Sequence, residues 1–188
     1  VAEGLSPGQQ FQMLRDFGFG SRTGIELQPE AAGHLPLPAG WSGTSASRLA
    51  IGYEISVTPL QMAMAYGALA NGGRLMQPRI VRELRDAEGR TTFRSEPRVV
   101  RQVISPGLAR EIAQILVEVV EDGTGSQAQL ATFSVAGKSG TSRAYESGSY
   151  GDGHYASFVC FFPVEDPQLV IFVKLDRPKG AYYGGATA

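Results

Sequence analysis

Lys138-Ser139-Gly140-Thr141 brings together an ammonium group, two hydroxyls and a glycine that leaves the backbone open. The chain has three lysines, and this one lies in the stretch "VAGKSGTSRAY" at residues 135–145. A cation beside hydroxyl and amide donors can bind a phosphate or a carboxylate, or can stabilise a developing oxyanion. The backbone conformation of the stretch decides among these chemistries.

Two features exclude a phosphate-binding loop. Gly137-Lys138-Ser139 matches the end of that motif, but the first glycine should stand at position 132, where the chain has Thr132. The motif also needs a helix that begins at the Lys-Ser pair, so that free backbone amides face the anion. The residues that follow, "GTSRAYESGSYGDG", cannot make a good helix.

An extended strand edge fits the stretch better. Alternate side chains of a strand point the same way, so we expect Lys138 and Gly140 on one side and Ser139 and Thr141 on the other. Gly140 lets a ligand or another backbone approach closely. Lys138 could then place a cation near a reacting nucleophile, Ser139 a hydroxyl near a carboxylate, and a backbone amide near an oxyanion. A surface strand end with a solvated lysine is an equally good interpretation of these four residues alone.

Three helices are predicted from their N-terminal signals. Ser6, Thr58 and Ser105 are each followed by proline, which combines a capping hydroxyl with a residue suited to the first helical turn. Gln9 and Gln61 stand where a capping box places its third-position side chain. Apolar spacing continues each helix up to a glycine or asparagine that ends it, at Gly18, Asn71 and Gly123.

Strands dominate the last third of the chain. "SFVCFF" and "LVIFVKL" are rich in β-branched and aromatic residues and lie on either side of a short turn, which predicts two antiparallel neighbours. Neither strand alternates cleanly, so we expect both in the centre of a sheet with helices on each side. A smaller hairpin is predicted to turn at residues 86–89, and long loops are predicted at residues 18–47 and in "GSYGDGHY". The order predicts one α+β domain over residues 1–188, with a central antiparallel sheet flanked by helices.

Composition narrows the possible functions. Hydrophobic residues make up 43% of the 188 residues and charged residues 19%, as in a globular domain. A net charge of -1 gives no basic surface for nucleic acid. His34 and His154 are far apart and lack cysteine or acidic neighbours in a cluster, so we expect no metal site and no cofactor. No apolar segment is long enough to span a bilayer.

The Lys-Ser-Gly strand resembles the third motif of the penicillin-recognising serine enzymes, Lys-[Thr/Ser]-Gly. Most of the chain is similar to the transpeptidase domain of class B penicillin-binding proteins, and Lys-Ser-Gly-Thr followed by Arg143 looks most like the division-associated branch. The segments that carry the resemblance, in the family's order, are "LRDFGFGSRTGIEL", "AIGYEISVTPLQMAMAYGALANGG", "VVEDGTG", "VAGKSGT" and "SFVCFFPVEDPQLVIFVKLDRPK". The resemblance implies a fold of the penicillin-binding transpeptidase or serine β-lactamase type.

The resemblance also implies roles for individual residues. Lys138 would organise protons around a serine nucleophile, and Ser139 would hydrogen-bond the carboxylate of a β-lactam or of the peptidoglycan stem peptide that β-lactams imitate. The backbone N–H of Thr141 would be one of two oxyanion-hole donors, a contact worth about 3 kcal/mol in comparable sites. Gly140 would leave room for the substrate, and the Thr141 hydroxyl and Arg143 would add substrate contacts.

The family's other two motifs are absent from these residues. A Ser-x-x-Lys turn places the nucleophile and its base on one helical face, but Val135, Ile171 and Asp176 stand three residues before the three lysines. The asparagine of Ser-x-Asn has no counterpart either, because the chain's one asparagine, Asn71, is preceded two places earlier by Leu69. We therefore expect residues 1–188 to be the C-terminal part of an incomplete transpeptidase domain, inactive alone, whose partner is the missing N-terminal half.

Two alternatives remain open: a non-catalytic, degenerate penicillin-recognition module that scaffolds cell-wall assembly, and a related β-lactamase or carboxypeptidase. The resemblance implies work at the outer, periplasmic side of the cell membrane, peptidoglycan and β-lactams as ligands, and a possible glycosyltransferase partner.

Overall fold

The computed structural model describes residues 4–146 and 149–188 and has the α+β architecture expected from the sequence. In chain order the described elements are α1 (Pro7–Asp16), α2 (Ser45–Ala50), α3 (Pro59–Ala70), β1 (Arg74–Met76), β2 (Glu83–Arg85), β3 (Thr91–Arg94), β4 (Val99–Gln102), α4 (Pro106–Glu121), β5 (Ala136–Glu146), β6 (Ser149–Phe162), β7 (Leu169–Asp176) and α5 (Gly184–Thr187). None of the described helices combines the length and the apolarity needed to cross a bilayer.

The three predicted helices begin at the predicted caps. The hydroxyls of Ser6 and Thr58 each accept the backbone N–H three residues on, and the glutamine at that position accepts the N–H of the cap in return. Ser105 Oγ likewise accepts the backbone N–H of Leu108 at the start of α4. These bonds satisfy amides that have no partner within the helix.

Gln61 also ties α3 to the long loop that precedes it. Its side chain is 1% exposed, and its Nε2 donates to the carbonyl oxygens of Ser21 at 2.7 Å and Ala32 at 2.8 Å. The loop predicted for residues 18–47 is therefore structured; it contains a 3-10 turn at Pro38–Gly40 and ends in α2, which begins at Ser45. Gly33 lies so close to Ser56 O that no side chain fits there.

The main sheet has the antiparallel order β5-β6-β7. β6 is central, and Phe161 on one of its faces is fully buried against α4 and the first residue of β5. Phe158 and Cys160 point to the opposite face, where they pack with Val120 and Val135. Both faces of β6 are thus covered, as predicted. The thiol pKa of Cys160 is raised because burial disfavours the thiolate.

Two expectations about this sheet are wrong. β7 is its outer strand among the described residues, and every second side chain from Leu169 to Val173 is exposed, so its two faces are not both covered. The glycine-rich stretch predicted as a loop belongs instead to β6 from Ser149 onward, while Ser147 and Gly148 lie outside the described residues. Pairing of Arg143 with His154 across the β5–β6 hairpin overrides the low strand propensity of glycine.

The small hairpin between β2 and β3 turns where the sequence predicts it. Asp86 donates its backbone N–H to Arg90 O, and its carboxylate accepts the N–H groups of Arg90 and Glu88. The pKa of the Asp86 carboxyl lies below its ordinary value, and the hydrogen bond from the backbone N–H of Arg90 is the main cause. β1 and β4 form a second small antiparallel pair.

Candidate active site

Lys138, Ser139 and Thr141 lie at the edge of the main sheet, on β5, as the extended-edge interpretation predicts. Among the described residues no strand pairs with the outer side of β5, so a groove opens there. This β5 groove has a volume of about 510 Å³, within the usual range of small-molecule sites. Its lining residues are Gly123, Thr124, Ser126, Gln127, Lys138, Ser139, Thr141, Tyr183, Gly184, Gly185 and Ala186.

The strand register gives the predicted alternation of side chains. Gly140 faces Ser157, whose Oγ would lie 2.6 Å from a Cβ at position 140, so no side chain fits there without a shift. Ser139 and Thr141 point to the other face. Lys138 is exposed, and its Nζ donates to the carbonyl oxygen of Ser139 at 2.9 Å. β5 is the outer strand of the sheet, so the long side chain of Lys138 lies beside the strand edge. Side chains from both faces of β5 therefore line one groove.

Ser139 has a partner that the sequence did not reveal. Its Oγ lies 2.8 Å from Oγ1 of Thr124, and either hydroxyl can be the donor. Thr124 belongs to the turn that follows α4, and glycines flank it on both sides. The one sequence signal was "VVEDGTG", which supported the family resemblance but pointed to no contact with β5.

Phe158 brings the turn after α4 next to β5. A Cβ at Gly137 would lie 2.8 Å from the Phe158 ring, and one at Gly125 would lie 3.2 Å from it. The ring therefore fills the space that the two glycines leave open. This packing places Thr124 beside Ser139.

The last described helix, α5, forms another wall of the groove. The N–H of Gly184 donates to Thr141 Oγ1 at 2.9 Å, so the hydroxyl expected to contact substrate already holds α5 in place. A side chain at Gly184 would collide with the backbone oxygens of Gly140 and Ser157. The two glycines that open α5 let its backbone lie directly on the sheet.

Arg143 lies on β5 but is not part of the β5 groove. Its Nε donates to Gly151 O at 3.2 Å, and its guanidinium is 3.9 Å from the Asp152 carboxylate. His154, the register partner of Arg143, stacks on Tyr182 with ring centroids 4.1 Å apart. His154 thus contacts the segment that leads into α5, and neither it nor Arg143 lines the β5 groove.

β5 lines the groove with the ammonium group of Lys138 and the hydroxyls of Ser139 and Thr141, a combination that suits a carboxylate ligand. The described residues hold no cluster of histidine, cysteine or carboxylate side chains that could bind a metal ion. Within residues 1–188 no lysine has a serine three places before it, so these residues supply donors and a cation but no Ser-x-x-Lys nucleophile.

Comparison with known proteins matches this architecture along the whole chain. A family model described as "Penicillin binding protein transpeptidase domain" covers residues 1–188. The chain belongs to the penicillin-binding protein transpeptidase family. The resemblance inferred from the Lys-Ser-Gly strand and its companion segments is confirmed.

Sequence relatives agree with this family. Stage V sporulation protein D of Bacillus subtilis is 37% identical over 189 residues, which cover 100% of this chain and 29% of that protein. Penicillin-binding protein PbpB of Mycolicibacterium smegmatis is 36% identical, and the match covers 98% of this chain and 30% of that protein. The chain therefore spans less than a third of the length of these relatives.

Solved structures show the same transpeptidase fold. Penicillin-binding protein 3 of Mycobacterium tuberculosis superimposes with a TM-score of 0.88 at 33% identity, over 97% of this chain and 43% of that one. That protein has also been solved with aztreonam and with ampicillin. The transpeptidase domain of Burkholderia pseudomallei penicillin-binding protein 3 matches with a TM-score of 0.84 at 30% identity, over 98% of this chain and 54% of that chain.

Proposed function

We propose that the chain is the substrate-recognising part of a peptidoglycan D,D-transpeptidase, which cross-links stem peptides through an acyl-serine intermediate and binds β-lactams. One observation carries the proposal: Lys138, Ser139 and Thr141 line a single open groove on the outer strand of the sheet. Membership of the penicillin-binding transpeptidase family supports it.

Each of the three residues has a distinct role in this proposal. Ser139 donates its hydroxyl to the carboxylate of the stem peptide or β-lactam, and Lys138 supplies the positive charge that draws this anion in and organises protons at the reacting serine. The backbone N–H of Thr141 stabilises the oxyanion of the tetrahedral intermediate. Gly140 lets the strand carry Ser139 and Thr141 past Ser157 without a side chain between them, and Arg143 contacts the substrate beyond the β5 groove.

The acylated serine belongs to polypeptide outside residues 1–188 in this proposal. The serine attacks the acyl carbonyl, the leaving amine takes a proton, and the acceptor amine of a second stem peptide later releases the acyl group. Because residues 1–188 contain no Ser-x-x-Lys, the 188-residue chain alone forms no acyl-enzyme. The complete protein would work outside the cytoplasmic membrane, with a glycosyltransferase as a possible partner.

Labelling with a fluorescent penicillin tests the proposal. We expect no stoichiometric covalent label on the 20.0 kDa chain, and one label per molecule on the protein encoded by the complete gene. In that longer protein Ser139→Ala should slow labelling, while Ser142→Ala, on the opposite face of β5, should not. Covalent labelling of the 188-residue chain would contradict the proposal that the reactive serine lies outside these residues. A complete gene product without a reactive serine would support the scaffolding alternative.

A further inference from the structure

The hydroxyl pair Thr124–Ser139 has a consequence for substrate recognition. We propose that Thr124 is a positioning residue that orients the Ser139 hydroxyl toward the substrate carboxylate and so sets the preference for carboxylate-bearing acyl donors. This inference rests on the proposed carboxylate-binding role of Ser139.

The argument starts from the number of hydrogens available. A hydroxyl has one hydrogen to donate and two lone pairs that accept. The two oxygens are 2.8 Å apart, an ordinary distance for an O–H···O bond. When Thr124 donates to Ser139 Oγ, the Ser139 hydrogen is left free, and a carboxylate in the β5 groove is the strongest acceptor it can meet there. The hydrogen bond from Thr124 to Ser139 and the one from Ser139 to the carboxylate then run in the same direction. Hydrogen bonds linked in this way strengthen one another.

Thr124 is held in place by its backbone. The N–H of the following residue, Gly125, donates to Val119 O at 2.9 Å, which closes the end of α4. On the other side Gly185 of α5 lies so close to Thr124 O that no side chain fits at position 185. The Thr124 backbone is therefore held between α4 and α5, while its side chain remains exposed and can be substituted with little effect on packing.

The inference separates Thr124 from residues that merely support the fold. Loss of the Thr124 hydroxyl leaves the Ser139 hydroxyl present but free to rotate, which weakens its bond to a carboxylate. A substrate analogue without the negative charge gains little from that bond, so it should not respond to the loss. A structural defect would slow both substrates alike.

The test uses the complete gene product and two probes, a fluorescent penicillin and its carboxylate methyl ester. Thr124→Val should lower the second-order acylation rate of the penicillin by between about twofold and tenfold, the range expected for one hydrogen bond. The rate of the ester should stay unchanged, and Thr124→Ser should restore the rate of the penicillin. Thr132→Val makes the same replacement at an exposed threonine outside the β5 groove and should change neither rate.

A double-mutant cycle with Ser139→Ala completes the test. If Thr124 acts through Ser139, Thr124→Val has no further effect in the Ser139→Ala background. Additive effects, or equal slowing of penicillin and ester, would overturn the inference while leaving the proposed function intact. If instead Ser139→Ala does not alter the rate of the penicillin, or the unsubstituted protein is not labelled, the proposed function fails and this inference fails with it. Thr124→Ala provides a second variant should Thr124→Val not fold.

Discussion

Replacement of Gln61 by leucine should destabilise the protein far more than the same replacement at Gln9. Gln61 is 1% exposed, and its side chain makes three hydrogen bonds: two donated to the carbonyls of Ser21 and Ala32, and one accepted from the N–H of Thr58. Leucine fills a similar volume but can form none of them. At about 1 kcal/mol for each lost bond, the expected loss in free energy of unfolding is about 3 kcal/mol.

Gln9 is a matched control because it occupies the same capping-box position in α1. It is exposed, and its side chain makes one hydrogen bond, accepted from the N–H of Ser6 at 2.9 Å. Water can replace that bond, so Gln9→Leu should cost no more than about 1 kcal/mol. The two variants should therefore differ by about 2 kcal/mol.

Urea unfolding at pH 7, followed by the fluorescence of Trp41 and by circular dichroism, measures both free energies. Trp41 is the one tryptophan of the chain and lies in the loop that Gln61 fastens. Its fluorescence should therefore respond to the loss of the hydrogen bonds that Gln61 makes to this loop. Equal free energies for the two variants, or a Gln61→Leu variant more stable than the unsubstituted protein, would refute the reasoning that burial makes these bonds valuable.

Three further predictions concern α5, the small hairpin and the core. Gly184→Ala should lower the free energy of unfolding by about 1–3 kcal/mol, because the new methyl group collides with backbone oxygens of β5 and β6. Gly8→Ala should cause no such loss, because no atom lies within 4 Å of the methyl group that it adds. Asp86→Asn should destabilise the protein at pH 7, because a folded-state pKa below the ordinary value means that the carboxylate stabilises the folded protein fully above about pH 4. The difference should shrink as the pH falls from there through the lowered folded-state pKa. Cys160 should react with iodoacetamide at pH 8 in urea but only slowly in the folded protein, since burial raises its pKa.

Each of these predictions has a result that would contradict it. Equal stability of Gly184→Ala and Gly8→Ala in urea would mean that α5 does not lie against the sheet. A destabilisation by Asp86→Asn that does not shrink as the pH falls below about 4 would show that the carboxylate charge is not its cause. Reaction of Cys160 at the same rate with and without urea, measured by mass spectrometry, would place its thiol at the surface.

The sequence predicted local structure well wherever the determinants are local. Hydroxyl, proline and glutamine at fixed offsets define the starts of α1 and α3, because capping depends on atoms within four residues of each other. The β2–β3 turn follows from the same kind of short-range bonding around Asp86. The Lys-Ser-Gly-Thr pattern placed three functional groups on a strand edge for a comparable reason, since alternation along a strand is a property of the backbone.

Predictions that depended on strand pairing and on packing were less successful. "GSYGDGHY" has the composition of a loop, but pairing with β5, as of His154 with Arg143, draws it into β6 from Ser149 onward. The apolar pattern of β7 suggests two buried faces, yet no described element covers Leu169 or Ile171. Neither outcome can be seen in a window of the sequence, because both depend on which neighbour lies alongside.

The sequence by itself thus determined the helix starts, the strand that carries Lys138 and Ser139, and the family to which the chain belongs. Only the tertiary structure decided which groups meet in the β5 groove: Thr124 beside Ser139, and the backbone of Gly184 on the Thr141 hydroxyl. These contacts join residues 15 and 43 positions apart in the chain. They form because Phe158 packs into the space above two glycines and because α5 begins with glycines small enough to lie on the sheet.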